Sequence, residues 1–185
     1  MDMVSLHTIL QAILLTADKP LSLEQLLEYF APEEAVTKVS LRTALQQLAQ
    51  QCVGQSFELL ETASGFRLQT RVAFQMWVQR HDDAKPAKYS RALLETLALI
   101  AWRQPITRAE IEAVRGVAVN ANIIKTLLER EWIRVLGHKE LPGRPELLGT
   151  TRAFLDYFGL KSLDDLPSLT TLQDWDKHPL PLVFD

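Results

Sequence analysis

A short pattern occurs twice in this chain, 85 residues apart, and it limits the architectures open to the rest. Pro20, Leu21, Ser22, Gln25 and Leu26 align with Pro105, Ile106, Thr107, Glu110 and Ile111. In each copy a hydroxyl residue is followed three positions later by Gln or Glu, the signature of a capping box that opens a helix. In the second copy Ile111 and Val114 follow at helical spacing. Gly116 then supplies the stop, because glycine takes the left-handed conformation that ends helices. Pro105 closes the apolar stretch 93–102 just upstream, so the segment predicts helix, tight turn, helix. A chain of 185 residues built on such a repeat is two copies of one small domain, each near the lower size for a self-sufficient core.

The apolar periods fill in both copies. Leu6, Ile9, Leu10, Ile13, Leu14 and Ala17 form one face of a first helix. Val4 and Leu15 lie off that face, as generous core coverage or as a self-association surface. Ser22 caps a second helix ending near Phe30, and Leu41, Ala44, Leu45 and Leu48 mark a third, starting between 33 and 40. Phe57 and Leu59, then Phe66 and Leu68, alternate with polar residues across Ala63, Ser64 and Gly65, which predicts a hairpin with glycine in its turn. Val72, Phe74, Met76, Trp77 and Val78 predict a helix leading out.

The polar, proline-containing stretch after His81 predicts a linker. Ser90 then caps a helix to about Arg103, with Leu93, Leu94, Leu97, Ile100 and Ala101 on its core face and Leu99 and Trp102 on a second face. A helix over about 120–131 buries Ile123, Ile124, Leu127 and Leu128. Residues 132–136 and 146–149 read as strands joined through a glycine- and proline-rich turn. Thr151 caps a last helix closed by Gly159, with Leu160 set to pack back on Leu155. Ser162 and Asp165 form a further capping box. Each half runs three helices, a hairpin and a helix. The expected fold is mainly α with small β wings, as two tandem winged helices: 1–81, a linker over 82–89, then 90–166. Residues 167–185 form a tail, either flexible or a segment that docks on something.

Charge is uneven. Residues 1–83 carry 6 Lys and Arg against 10 Asp and Glu, residues 84–162 carry 13 against 8, and residues 163–185 carry 1 against 5. A basic second half permits weak or indirect DNA association without requiring it. The third helices argue against a groove reader. The first unit's third helix offers Lys38 and Arg42 against Glu33 and Glu34, and the second's offers Lys125 and Arg130 against Glu129 and Glu131, so neither clusters its cations. His138, Lys139 and Arg144 in the second wing are the better nucleic-acid candidates.

No catalytic constellation stands out. His7, His81, His138 and His178 do not sit at metal-ligand spacing, and there is no phosphate loop or nucleophile elbow. The expectation is a non-enzyme without cofactor or metal. A single cysteine, Cys52, fits a small core residue in a reducing cytoplasm. No apolar run reaches membrane-spanning length, and Asp2 without a preceding basic region disfavours a signal peptide.

These residues together resemble the segregation and condensation protein B family, the kleisin-associated winged-helix subunits of bacterial condensin. The densest resemblance is residues 94–111, Leu-Glu-Thr-Leu-Ala-Leu-Ile-Ala-Trp-Arg-Gln-Pro-Ile-Thr-Arg-Ala-Glu-Ile. It continues through 127–130, 142–145, 149–151 and 154–167, and in the first half through 65–71 and Trp77. Leu148, where an aromatic is expected, and Glu140 in the wing depart from the pattern. The resemblance implies a non-enzymatic, nucleoid-associated homodimer. It would bind the kleisin, segregation and condensation protein A, and through it the SMC ATPase. It implies dimerisation by the first winged helix, where Val4 and Leu15 are the interface candidates. Partner-facing candidates in the second are Leu99, Trp102, Arg103, Arg144 and Tyr157, with Trp102 and Tyr157 equally open to a packing role. Arg108, Glu112 and Arg115 are solvated charges or further kleisin contacts. The alternative is a winged-helix DNA-binding transcriptional regulator.

Overall fold

The computed structural model describes residues 5–81 and 89–167. The chain separates into two compact units, one in each of these stretches. Val4, the linker residues 82–88 and the tail from 168 lie outside the described residues.

In the first unit, helix α1 (Leu6–Thr16) packs on α3 (Lys38–Gln51), with the short α2 (Leu23–Leu27) against α3. Leu10, Leu14, Leu26, Leu41, Ala44, Leu45, Leu48 and Cys52 form the core. Each fully buried leucine contributes about 1.5–3 kcal/mol. The Ser22 capping box forms as expected: Gln25 N donates to Ser22 Oγ at 3.2 Å and Ser22 N donates to Gln25 Oε1 at 2.9 Å. The helix stops earlier than Phe30, because Glu28, Tyr29 and Phe30 donate three residues back rather than four. Helix α3 starts from a box whose members are Thr37 and Ser40.

Strands β1 (Phe57–Thr62) and β2 (Gly65–Thr70) pair antiparallel, Leu59 opposite Leu68 and Thr62 opposite Gly65. Gly65 serves a close approach beyond the turn. Its φ is 143°, and a Cβ there would overlap the Leu21 carbonyl. That space is taken by a backbone bridge, Leu21 N to Phe66 O at 2.9 Å and Phe66 N to Leu21 O at 2.8 Å. A 3-10 turn (Val72–Phe74) leads into α4 (Gln75–His81).

The second unit repeats the plan. Helices α5 (Arg91–Arg103), α6 (Arg108–Arg115) and α7 (Ala121–Glu129) precede strands β3 (Ile133–His138) and β4 (Glu146–Thr150), then α8 (Arg152–Tyr157). Its core holds Leu93, Leu97, Ile100, Ile106, Ile111, Val119, Leu127, Trp132, Ile133, Leu148 and Phe154. Ile106 N donates to Leu148 O at 3.1 Å and Leu148 N to Ile106 O at 2.8 Å, the counterpart of the Leu21–Phe66 bridge. The sequence repeat is therefore a structural one: proline, bridging residue, capping box. Beyond α8, Leu160 N donates to Leu155 O at 2.8 Å and Gly159 N to Asp156 O at 3.2 Å. This is the Schellman closure expected from Gly159. The Ser162–Asp165 box caps a 3-10 turn, Leu163–Asp165.

Candidate functional site

The opening segment of the repeat is a tied corner of the second unit. Glu110 N donates to Thr107 Oγ1 at 3.3 Å, and Thr107 N donates to Glu110 Oε2 at 2.8 Å. The other Glu110 oxygen accepts from Lys139 Nζ of the wing at 2.5 Å. The lysine first, then the Thr107 amide and hydroxyl, hold the Glu110 carboxyl down to about 2. One residue thus starts α6 and fastens the β3–β4 hairpin to it.

Arg108, Glu112 and Arg115 are more occupied than solvated surface charges. Arg115 keeps only 10% of its side chain exposed and donates to Glu95 Oε2 at 3.0 Å and Thr96 Oγ1 at 3.2 Å. Arg108 donates to Glu112 and to the Val119 carbonyl, while Val119 N donates to Glu112 at 2.9 Å. That backbone amide, with Arg108, lowers the Glu112 carboxyl below its usual range. Gln104 escapes any sequence pattern, yet its amide donates to Ala101 O at 3.2 Å and Thr150 Oγ1 at 2.9 Å, and its oxygen accepts from Thr150 N at 2.6 Å. Gly149 leaves room for it: a Cβ there would lie 2.7 Å from Gln104 Oε1.

The five partner-facing candidates fall in different settings. Leu99 is half-buried and packs on the core. Trp102 is half-buried, and its indole N–H donates to Pro167 O at 3.1 Å. Arg103 is exposed in the last turn of α5. Arg144 is exposed in the wing turn, with φ 40°. Tyr157 stacks on Trp132 at 4.5 Å, within a cluster that includes Tyr89, Phe154 and Phe158. In the first unit Leu15 is 61% exposed.

Two surfaces carry no sequence signal as partner sites. One is the stretch from Val72 through α4, where Val72, Phe74, Met76, Trp77 and Val78 are all exposed. The apolar composition signals a helix, but nothing local shows that these side chains stay exposed. The other is a groove of about 930 Å³ in the second unit. Leu128, Ile133, Leu136, Leu155 and Leu163 supply its apolar lining; Arg134 and Arg152 supply its cations, and Glu131 an opposing charge.

Among the described residues no three His, Cys, Asp or Glu group to hold a metal, and no helix is long and apolar enough to cross a membrane. Cys52 is buried in the core, and burial pushes its thiol up, away from the reactive thiolate. Lys38 pairs with Glu24 at 2.6 Å and Lys125 with Glu129 at 3.7 Å, so with Lys139 three of the cations a DNA reader would present are engaged.

Comparison with known proteins gives one family. The model for segregation and condensation complex subunit ScpB matches residues 8–169. A segregation and condensation protein B homolog from Coxiella burnetii is 48% identical over 96% of this chain and 85% of its own length. Segregation and condensation protein B from Syntrophotalea carbinolica is 41% identical over 100% of this chain and 92% of its own length. Among solved structures, ScpB from Mycobacterium tuberculosis is 35% identical over 83% of this chain and 94% of that chain, with a TM-score of 0.38.

Proposed function

Because the chain belongs to the segregation and condensation protein B family, we propose that it is a non-enzymatic subunit of an SMC–kleisin condensin that binds the kleisin as a homodimer. In that role it supports chromosome condensation and segregation in the cytoplasm, at the nucleoid. The observation that carries the reading is the family match across residues 8–169, which takes in both winged helices. ATP chemistry belongs to the SMC partner in this scheme, and this chain contributes surfaces.

The first unit supplies the dimer contact. Leu15 is one candidate there, together with Val4, and the exposed apolar stretch from Val72 to Val78 extends the available surface. The second unit faces the kleisin through Trp102, Arg103 and Arg144, with the accessible edges of Leu99 and Tyr157. The half-buried state of the last two assigns them a share of packing as well.

A pull-down against the kleisin encoded in the same genome tests the reading, and no capture at micromolar concentration would sink it. The DNA-regulator alternative predicts salt-sensitive binding with a clear preference for one duplex sequence. The ion pairs on Lys38, Lys125 and Lys139 weigh against it. A duplex left unshifted at low salt rules it out.

A further inference from the structure

The second hairpin turns a set of backbone groups outward along β3. Leu148 makes both of its backbone hydrogen bonds with Ile106, on the side of β4 away from β3. Opposite residues of an antiparallel ladder alternate between bonded and non-bonded pairs. Val135, opposite Leu148, is therefore in a non-bonded pair. Thr150 N also turns away from β3, to Gln104 Oε1 at 2.6 Å, which puts Ile133 opposite it in the same position. Arg134 and Gly149 form the bonded pair between them. The N–H and C=O groups of Ile133 and Val135 thus point to the side of β3 away from β4, at a repeat of about 6.8 Å. Among the described residues the sheet ends there, with two strands in the order β3–β4, and no turn or loop hydrogen bond reaches these groups.

Edge strands are usually guarded by proline, lysine or a covering element. Strand β3, Ile-Arg-Val-Leu-Gly-His, has neither proline nor lysine, and its register irregularity comes only after Val135. Arg134, Val135 and Leu136 are exposed in succession, Val135 at 38% and Leu136 at 45%. The repeat supplies the comparison. Strand β1 is the edge of the first hairpin, yet Phe57 to Leu60 are all half-buried. Exposure of the β3 edge is therefore a property of this copy and not of the shared plan. Arg134 also carries no ion pair or hydrogen bond among the described residues, while Arg108, Arg115, Lys125 and Lys139 are all paired.

An extended chain completes such an edge by main-chain hydrogen bonds, and the side chains beside it set the choice of partner. A second copy fits badly. Antiparallel pairing that uses the outward groups of both copies sets Ile133 against Val135 of the second copy, and Arg134 directly opposite its own counterpart. That is a non-bonded pair, where side chains come closest, and like charges there are destabilising. A carboxylate in the same position is attracted instead. We propose that the free edge of β3 binds an extended segment of another protein as an added antiparallel strand. Its Asp or Glu stands opposite Arg134, and the aliphatic residues on either side stand opposite Ile133 and Val135. This inference does not depend on the proposed kleisin reading.

The probe is the peptide acetyl-Ser-Thr-Val-Glu-Val-Thr-Ser-amide, titrated into the nitrogen-15-labelled full chain and followed by amide resonances and hydrogen exchange. Binding at millimolar concentration or tighter should move the β3 amides and leave those of β1 in place. Exchange of the Ile133 and Val135 amides should slow by about tenfold at nine-tenths saturation. A peptide N-methylated at both valines, whose N–H groups face β3, should not bind. A peptide with lysine for glutamate should bind about tenfold more weakly, and Arg134→Glu should invert that order. Should Arg134→Glu fail to fold, the two altered peptides decide, since they leave the protein unchanged. No shift of β3 amides at millimolar peptide, or shifts centred on β1, overturns the proposal. So does equal binding of the N-methylated peptide, because side chains alone then hold it, or equal binding of the glutamate and lysine peptides. Protection of Ile133 and Val135 that grows with protein concentration without peptide also overturns it, because a second copy is then the occupant.

Discussion

Replacing Gly65 by alanine tests the reading of the wing most sharply. The residue opens β2 at φ 143°, a region essentially restricted to glycine, and forcing a side chain into it costs roughly 1–3 kcal/mol. The new Cβ would also overlap the Leu21 carbonyl and lie 2.5 Å from Ser22 N, all backbone atoms with no rotamer to escape by. Relief requires parting the Leu21–Phe66 bridge, whose two hydrogen bonds of 2.9 and 2.8 Å contribute about 0.5–1.5 kcal/mol each. The combined cost is about 4 kcal/mol, a large share of the 5–15 kcal/mol that holds a small domain together. At about 4–8 °C per kcal/mol the melting transition of the first unit falls by roughly 15–30 °C. Gly54 is the internal control. Its φ is also positive, at 80°, but nothing lies within 4 Å of the position a Cβ would take, so alanine there costs only about 1–2 kcal/mol. Scanning calorimetry of the full chain should show the first unit's transition moving far more in Gly65→Ala than in Gly54→Ala, with the second unit's transition unmoved. Equal shifts for the two glycines would refute the close-approach explanation.

Other substitutions probe the second unit and the dimer. Arg115→Ala removes a guanidinium that is 10% exposed and bonded to Glu95 and Thr96; it should cost about 2 kcal/mol in urea unfolding. Arg91→Ala, at 87% exposure, should cost under about 0.5 kcal/mol, and equal costs would return Arg115 to the status of a surface charge. Glu110, held at about 2 when folded, contributes stability that is fully present above its ordinary value of 4.5 and is lost as pH falls towards 2. The melting temperature of the unaltered chain should therefore fall towards that of Glu110→Gln as pH drops through this window, and a constant gap would contradict the pairing with Lys139. Leu15→Glu should weaken a homodimer by about a hundredfold in sedimentation, since a two-fold contact loses the burial twice, while circular dichroism stays unchanged. An unaffected dimer places the interface elsewhere in the first unit.

Local chemistry made much of the fold legible. The Ser22 and Thr107 boxes, the Ser90 and Thr151 caps, and the Gly116 and Gly159 stops all act through hydrogen bonds within five residues, so their spacing survives in the sequence. The start of α3 escaped because its box closes with Ser40 in place of Glu or Gln. What depends on contacts across the fold was harder to see. Gly65 suits a turn on sequence grounds, and only the approach of Leu21 gives it its second role. Arg115 sits on the polar side of α6, where a helical wheel shows solvent but the structure places Glu95 and Thr96 of α5. Gln104 carries no pattern at all, since its partner Thr150 lies 46 residues away. The surfaces are the least legible part, because a run such as Val72 to Val78 reads as core until its apolar side chains are seen to be exposed.

The central claim is that this chain is a kleisin-binding, dimeric condensin subunit, and calorimetric titration of the kleisin into the purified chain tests it most directly. Saturable binding at micromolar concentration or tighter is expected, with the chain remaining dimeric in the complex. Heats indistinguishable from dilution at these concentrations, from a chain shown to be folded, would contradict it.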